Sequence, residues 1–306
     1  MNGAAVPGTF TRRKPISEQV IEPLLFLATA LGVVTTIGIV GVLAYETIEF
    51  FAQVSPLDFL LGTHWSASIK PYTFGVLALM SGTLLVAAIA IVIAVPLGLL
   101  AAFLLSEYAG PRVRNVVKPM LETIAGVPTI VLGFFGLYFL TPNLLKPILG
   151  DDVIGTFSAL SGGIVVGILI TPLIASISED AMRAVPRDLR EGAYAMGATK
   201  FEVVRKIVFP AALSGIMASI ILAASRAFGE TMAVVLTVGT QPQFTFDPRE
   251  SVQTMTAFII QISLGDTPQD SIQFKSLFAV AATLFVMTLV LNLISNRVVA
   301  RFRTGY

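Results

Sequence analysis

The sequence predicts an all-α membrane protein with six spanning helices, and three observations lead there. Hydrophobic residues make up 55% of the 306 residues, while Asp, Glu, Lys and Arg supply only 13%, against roughly a quarter in soluble domains. Six apolar stretches each approach or exceed the ~20 residues needed to cross a hydrocarbon core of about 30 Å. The positive charges between those stretches gather on alternate loops, as they do in membrane proteins. The mean hydropathy of +0.84 agrees.

The first apolar stretch runs from Pro23 to Tyr45. Residues 1–20 before it are polar and broken by Pro and Gly, which predicts a flexible tail. Arg12, Arg13 and Lys14 in that tail look superficially like the start of a signal peptide. The apolar core that follows exceeds the ~7–15 residues of a cleaved signal, so it is read as a retained helix. The later stretches are Phe74 to Leu105, Glu122 to Thr141, Ser161 to Ser178, Ala211 to Val238 and Ser276 to Asn296. The longer ones are expected to tilt or to project past the bilayer. No internal repeat is visible, and residues 21–306 read as one membrane domain with no appended soluble domain.

Counting Lys and Arg orients the chain. With the N-terminus inside, the outer loops hold only Lys70, Lys146, Arg249 and Lys275, and Arg226 falls within a span. The other 15 of the 20 basic residues lie on inner segments, so both termini are expected in the cytoplasm. A net charge of +1 without a long basic block gives no reason to expect nucleic acid. The absence of cysteine excludes disulfides and thiolate chemistry, and the single histidine, His64, cannot form a metal site alone. The composition points to a subunit that passes a polar solute across a membrane, not to an enzyme.

The most informative segment is the inner one, 179–210. It is rich in Ala and helix formers up to Gly197, and then carries an amphipathic run with Phe201, Val204 and Ile207 on one stripe against Glu202, Arg205 and Lys206. This predicts a short helix, a turn and a second short helix, with Pro210 opening the next span. Glu191, Ala193, Gly197, Ile207 and Pro210 fall at the spacing of the cytoplasmic-loop signature of ABC-importer permeases, which this segment resembles. Gly192 stands where that signature has Ala, and Phe209 where it has Leu. The resemblance implies the six-helix type I importer permease fold and makes 179–210 the coupling segment that seats in a separate ATPase. ATP and Mg would then be bound by that partner, with no cofactor in this chain. Gly192 and Gly197 imitate P-loop spacing, but Ala198 stands where the phosphate-binding Lys is required.

Three further segments, Gly126–Gly136, Glu179–Pro186 and Ser225–Ala233, resemble permeases of phosphate-specific ABC importers. Ser55-Pro-Leu-Asp-Phe, Gly62-Thr-His-Trp65 and the Gly-Glu-Thr-Met-Ala run are similar to the C-type subunit of that family. The resemblance implies a bacterial inner-membrane importer of inorganic phosphate, partnered by a homologous second permease, an ATP-binding subunit dimer and an extracytoplasmic phosphate-binding protein. Two charges lie within the fifth apolar stretch, Arg226 and, four residues on, Glu230, which a continuous helix would place on one face. Charge at such depth costs a few kcal/mol, so it marks a polar path or a structural ion pair. Gly215, Ser219, Ala223 and Ala227 form a separate stripe suited to close helix packing. Pro128 and Pro172 fall inside spans, and Pro128 is a candidate hinge. Two other readings fit part of the evidence: a permease for another small anion or an amino acid, and a proton-coupled carrier in which Arg226 and Glu230 relay protons.

Cysteine labelling in sealed cells checks the orientation. Positions 106–121, 179–210 and 297–306 should react only after permeabilisation, and 46–73, 142–160 and 239–275 from outside; external labelling at position 200 would overturn the scheme.

Overall fold

A computed structural model describes residues 16–302. The tail predicted over 1–20 lies outside the described residues as far as residue 15, and residues 16–20 already belong to the first helix. In chain order the elements are α1 (Ile16–Phe51), α2 (Pro56–Leu61), strands β1 (Trp65–Ser66) and β2 (Thr73–Phe74), α3 (Leu77–Phe103), α4 (Pro111–Ala125), α5 (Thr129–Phe135), α6 (Lys146–Leu149), α7 (Ala159–Arg183), α8 (Arg187–Ala195), α9 (Lys200–Val203), α10 (Phe209–Gly229), α11 (Met232–Val238), α12 (Met255–Leu264) and α13 (Ile272–Phe302). The two strands form an antiparallel hairpin with Trp65 opposite Phe74.

Wider π-helical turns at Leu104–Tyr108, Gly136–Leu145 and Val204–Val208 extend or join these pieces. Among the described residues six rods result that are long and apolar enough to cross a membrane: Ile21–Phe51, Leu77–Tyr108, Thr129–Leu149, Ala159–Arg183, Lys200–Gly229 and Ile272–Ser295. Six is the number expected, but two spans need correction. The third begins at Thr129 instead of Glu122, because Gly126-Val127-Pro128 stops α4 first. Pro128 supplies no N–H, and a residue before proline avoids helical dihedrals. The fifth begins at Lys200 and ends at Gly229, instead of running from Ala211 to Val238. Pro210 does not open it. The Phe209 N–H reaches back five residues to the Val204 carbonyl, and this widened turn carries the helix through Pro210 without interruption.

The centre of the bundle is α3 against α7, with α10 packed on both. Close approach requires small residues. A Cβ at Gly98 would lie 2.8 Å from the Ile174 side chain, and one at Gly163 would lie 2.5 Å from that of Ile89. The stripe on α10 faces α7 as expected: a Cβ at Gly215 would lie 2.4 Å from Ala181, and the Ser219 and Ser178 hydroxyls share a hydrogen bond of 2.8 Å. At one end of the bundle Phe50, Phe59, Trp65, Phe74 and Phe258 form an edge-to-face aromatic cluster beneath the hairpin. There α12, a helix inside the expected outer loop 239–275, packs Phe258 and Ile262 inward. In contrast, α1 packs chiefly against α13 and leaves most of its surface bare.

Gly163→Leu forces a side chain into the α3–α7 contact, where overpacking costs about 1–3 kcal/mol or more. Less folded protein and a lower melting temperature by detergent size-exclusion assay are expected. Gly38→Leu on α1, with open space around it, should leave both unchanged.

Candidate coupling segment and charged positions within the spans

The candidate coupling segment leaves α7 at Arg183, and Pro186 precedes α8. After α8 the chain reverses at Gly197, whose φ of +82° suits glycine. A Cβ there would meet nothing within 4 Å, so the requirement is for backbone conformation and not for lack of bulk. The following helix starts with a capping box. The Thr199 hydroxyl accepts from the Glu202 N–H, and the Glu202 carboxylate accepts from the Thr199 N–H at 2.9 Å.

The five motif residues divide into two groups. Ala193 is buried, and Ile207 packs beside it, in a cluster with Met182, Val203, Val208 and Ala102 that anchors the segment to the spans. Glu191, Gly197 and Pro210 are exposed. The expected stripe is rotated: Val203, Val204 and Val208 face inward, whereas Phe201 is 63% exposed. The π turn changes the helical phase between Phe201 and Ile207, so an uninterrupted 3.6-residue period misplaces one end of the stripe. Met196, 85% exposed, stands with Tyr194 and Phe201 as bare apolar side chains around the turn.

Two sets of ion pairs join this segment to the spans, and sequence reasoning missed both. Arg190 on α8 donates to the Met182 carbonyl at 2.6 Å and pairs with Glu107, beyond the end of α3, at 3.2 Å. Glu179 in the last turns of α7 is 0% exposed. It accepts from Arg114 at 2.8 Å and Lys118 at 2.7 Å on α4, with Arg183 at 3.6 Å. Lys118 also binds Asp180. Burial works to lower the Lys118 pKa, but its bonds to Asp180 and Glu179 outweigh that and hold it above the ordinary lysine value. The legible signal was Arg114 and Lys118, four apart on an amphipathic helix, facing an acidic pair at the end of an apolar run.

Arg226 and Glu230 do not share a helix face. α10 ends at Gly229, and Glu230 is extended at φ −67°, ψ 135°. Glu230 is 8% exposed, and its Oε1 accepts from the Ala233 N–H at 3.4 Å at the start of α11. Its carbonyl accepts from the Thr256 hydroxyl at 2.9 Å. Glu230 is thus bonded within the protein while Gly229 beside it is exposed, and irregular backbone at membrane depth must be buried in protein or line a polar cavity. Arg226 is exposed, and no hydrogen bond or ion pair joins it to Glu230. Pro128 lies at the break between α4 and α5, at the start of the third span, while Pro172 lies within α7.

Comparison with known proteins agrees with this architecture. The family described as "Binding-protein-dependent transport system inner membrane component" matches residues 94–304. The "Probable ABC transporter permease protein YqgH" of Bacillus subtilis is 33% identical over 87% of this chain and 83% of its own length. The "Phosphate transport system permease protein PstC" of Haemophilus influenzae is 30% identical over 95% of this chain and 97% of its own. Among solved structures, a bacterial alginate ABC transporter superposes with a TM-score of 0.67 at 15% identity, over 95% of this chain and 97% of that one. The chain is a multi-pass membrane protein with the ABC-importer permease fold, and it belongs to the binding-protein-dependent transport system inner membrane component family.

Proposed function

We propose that this chain is the C-type permease subunit of an ATP-driven importer of inorganic phosphate, with both termini in the cytoplasm. Near-full-length likeness to phosphate permeases supports the substrate. In this reading a homologous second permease completes the pathway, an ATP-binding subunit dimer receives the turn around Gly197, and an extracytoplasmic phosphate-binding protein delivers the anion. ATP and Mg belong to the ATP-binding partner.

The observation that carries the reading of the pathway is Arg226 itself. It lies close to the end of an apolar helix, and the chain leaves it uncovered. Exposure of a charged side chain to lipid costs several kcal/mol, so this face of α10 belongs against the second permease or along a polar path. A guanidinium there attracts phosphate through charge-assisted hydrogen bonds. Glu230 follows at the break, where its carboxylate moderates that field and can accept a hydrogen bond from protonated phosphate. Sulfate, which carries no proton at neutral pH, has none to offer. A proton-coupled carrier would have no use for the exposed apolar turn at Tyr194, Met196 and Phe201, and this disfavours that alternative.

Uptake by reconstituted complex, normalised to assembled protein, tests the role of the two charges. Arg226→Gln should assemble and lose nearly all phosphate uptake. Glu230→Gln keeps an oxygen for the Ala233 N–H, so it should assemble too and fail by holding the anion too tightly. Robust uptake by Arg226→Leu/Glu230→Leu would refute the path.

A further inference from the structure

Helix α4 meets the protein through a face on which Arg114 and Lys118 stand with the half-buried Val117, Leu121 and Ala125. None of its residues is buried, and its apolar stripe of Val113, Val116 and Met120 remains exposed. Arg114 and Lys118, one turn apart, hold it by gripping the buried Glu179 on α7. Three residues separate α7 from α8, and Arg190 ties α8 back to Glu107 and to the Met182 carbonyl. The adjoining ends of α3 and α7, together with α8 and α4, are thereby joined by ionic and hydrogen bonds into one block. On the far side of α4 the chain breaks at Gly126-Val127-Pro128 and enters the third span.

We propose that Glu179 is a positioning residue for transport. It keys α4 to α7, so that displacement of α8 by the ATPase carries α4 with it and turns the third span at the Pro128 joint. A carboxylate suits this role because it accepts from both cations at once and fixes their direction. Apolar packing is non-directional, so the half-buried Val117 and Leu121 on the same face add contact without fixing the direction. The inference rests on the ATPase-driven reading above. If the native complex shows no ATP-dependent phosphate uptake, that reading fails; the variants below test only the inference.

The chain contains no cysteine, so Glu122→Cys with Ser176→Cys introduces the only pair in this subunit. The two side chains hydrogen-bond at 3.3 Å between α4 and α7, within reach of a short bifunctional thiol reagent. With Glu179 intact, bridging this pair in the assembled complex should leave phosphate uptake unchanged, because the two helices move together. Glu179→Gln should lower phosphate taken up per ATP hydrolysed by about tenfold, within the usual range of a coupling free energy. In that background the bridge should restore it, since a covalent link replaces the ionic one. Three results would each overturn the proposal: uptake blocked by the bridge with Glu179 present, normal coupling in Glu179→Gln, or a loss in Glu179→Gln that the bridge does not repair. Where Glu179→Gln yields too little complex, Lys118→Gln, which leaves Arg114 and Arg183 on the carboxylate, replaces it in the same comparison.

Discussion

The near-backbone contact between α3 and α7 is the constraint from which the rest of the bundle follows. In lipid no hydrophobic effect drives helices together, so association depends on close packing and interhelical hydrogen bonds. Gly98 and Gly163 allow Ile174 and Ile89 to enter where a side chain would otherwise stand. With that pair fixed, α10 lays its own small residues on α7, and the Ser178–Ser219 hydrogen bond closes the contact between them. At one end the start of α7 receives the chain after α11, through Ala159 and Leu160 N–H groups bonded to the Glu250 and Pro248 carbonyls. At the other end α7 delivers Glu179, Met182 and the segment that follows it to their places.

What was legible in the sequence was whatever depends on composition over a long window. Each span had enough apolar residues to be found, and the Gly215 stripe was found because small residues at helical spacing can pack only one way. The motif around Gly197 was found by spacing, and the positive φ supplies its physical reason. Breaks were read less well, because one residue decides them and tertiary partners hold them. Glu230 leaves the helix where its carboxylate accepts from the Ala233 N–H three residues on, and where its carbonyl meets the Thr256 hydroxyl, a partner that is invisible along the chain. The π turn before Pro210 displaced the amphipathic stripe for a similar reason. The Glu179 site was missed because its cations lie more than sixty residues away.

This chain leaves exposed several surfaces that a self-sufficient protein would cover. Arg226 stands bare on an apolar helix, α1 packs chiefly against α13, and the turn at Met196 presents apolar side chains beside charged ones. Lipid accounts for α1, but it accounts neither for a guanidinium on α10 nor for an exposed methionine at the turn of a charged segment. These two surfaces are on different parts of the chain and call for different partners. A second permease suits the first, and a soluble ATPase groove suits the second. The buried Glu179 ties α7, from which the Met196 turn follows, to α4. Removing one partner of such a buried pair is costly, of order 3–5 kcal/mol, so it suits a connection that must not slip.

In the proposed importer the turn around Gly197 sits against an ATP-binding subunit. The most direct measurement is crosslinking from Met196→Cys, the only thiol such a variant of this subunit contains, in native membranes, with the adduct identified by mass spectrometry. The account predicts a covalent adduct with the ATP-binding subunit whose yield changes with nucleotide and falls when Gly197 is replaced by Arg. Labelling of that cysteine by an impermeant reagent outside sealed cells, or an adduct with the extracytoplasmic binding protein, would contradict it.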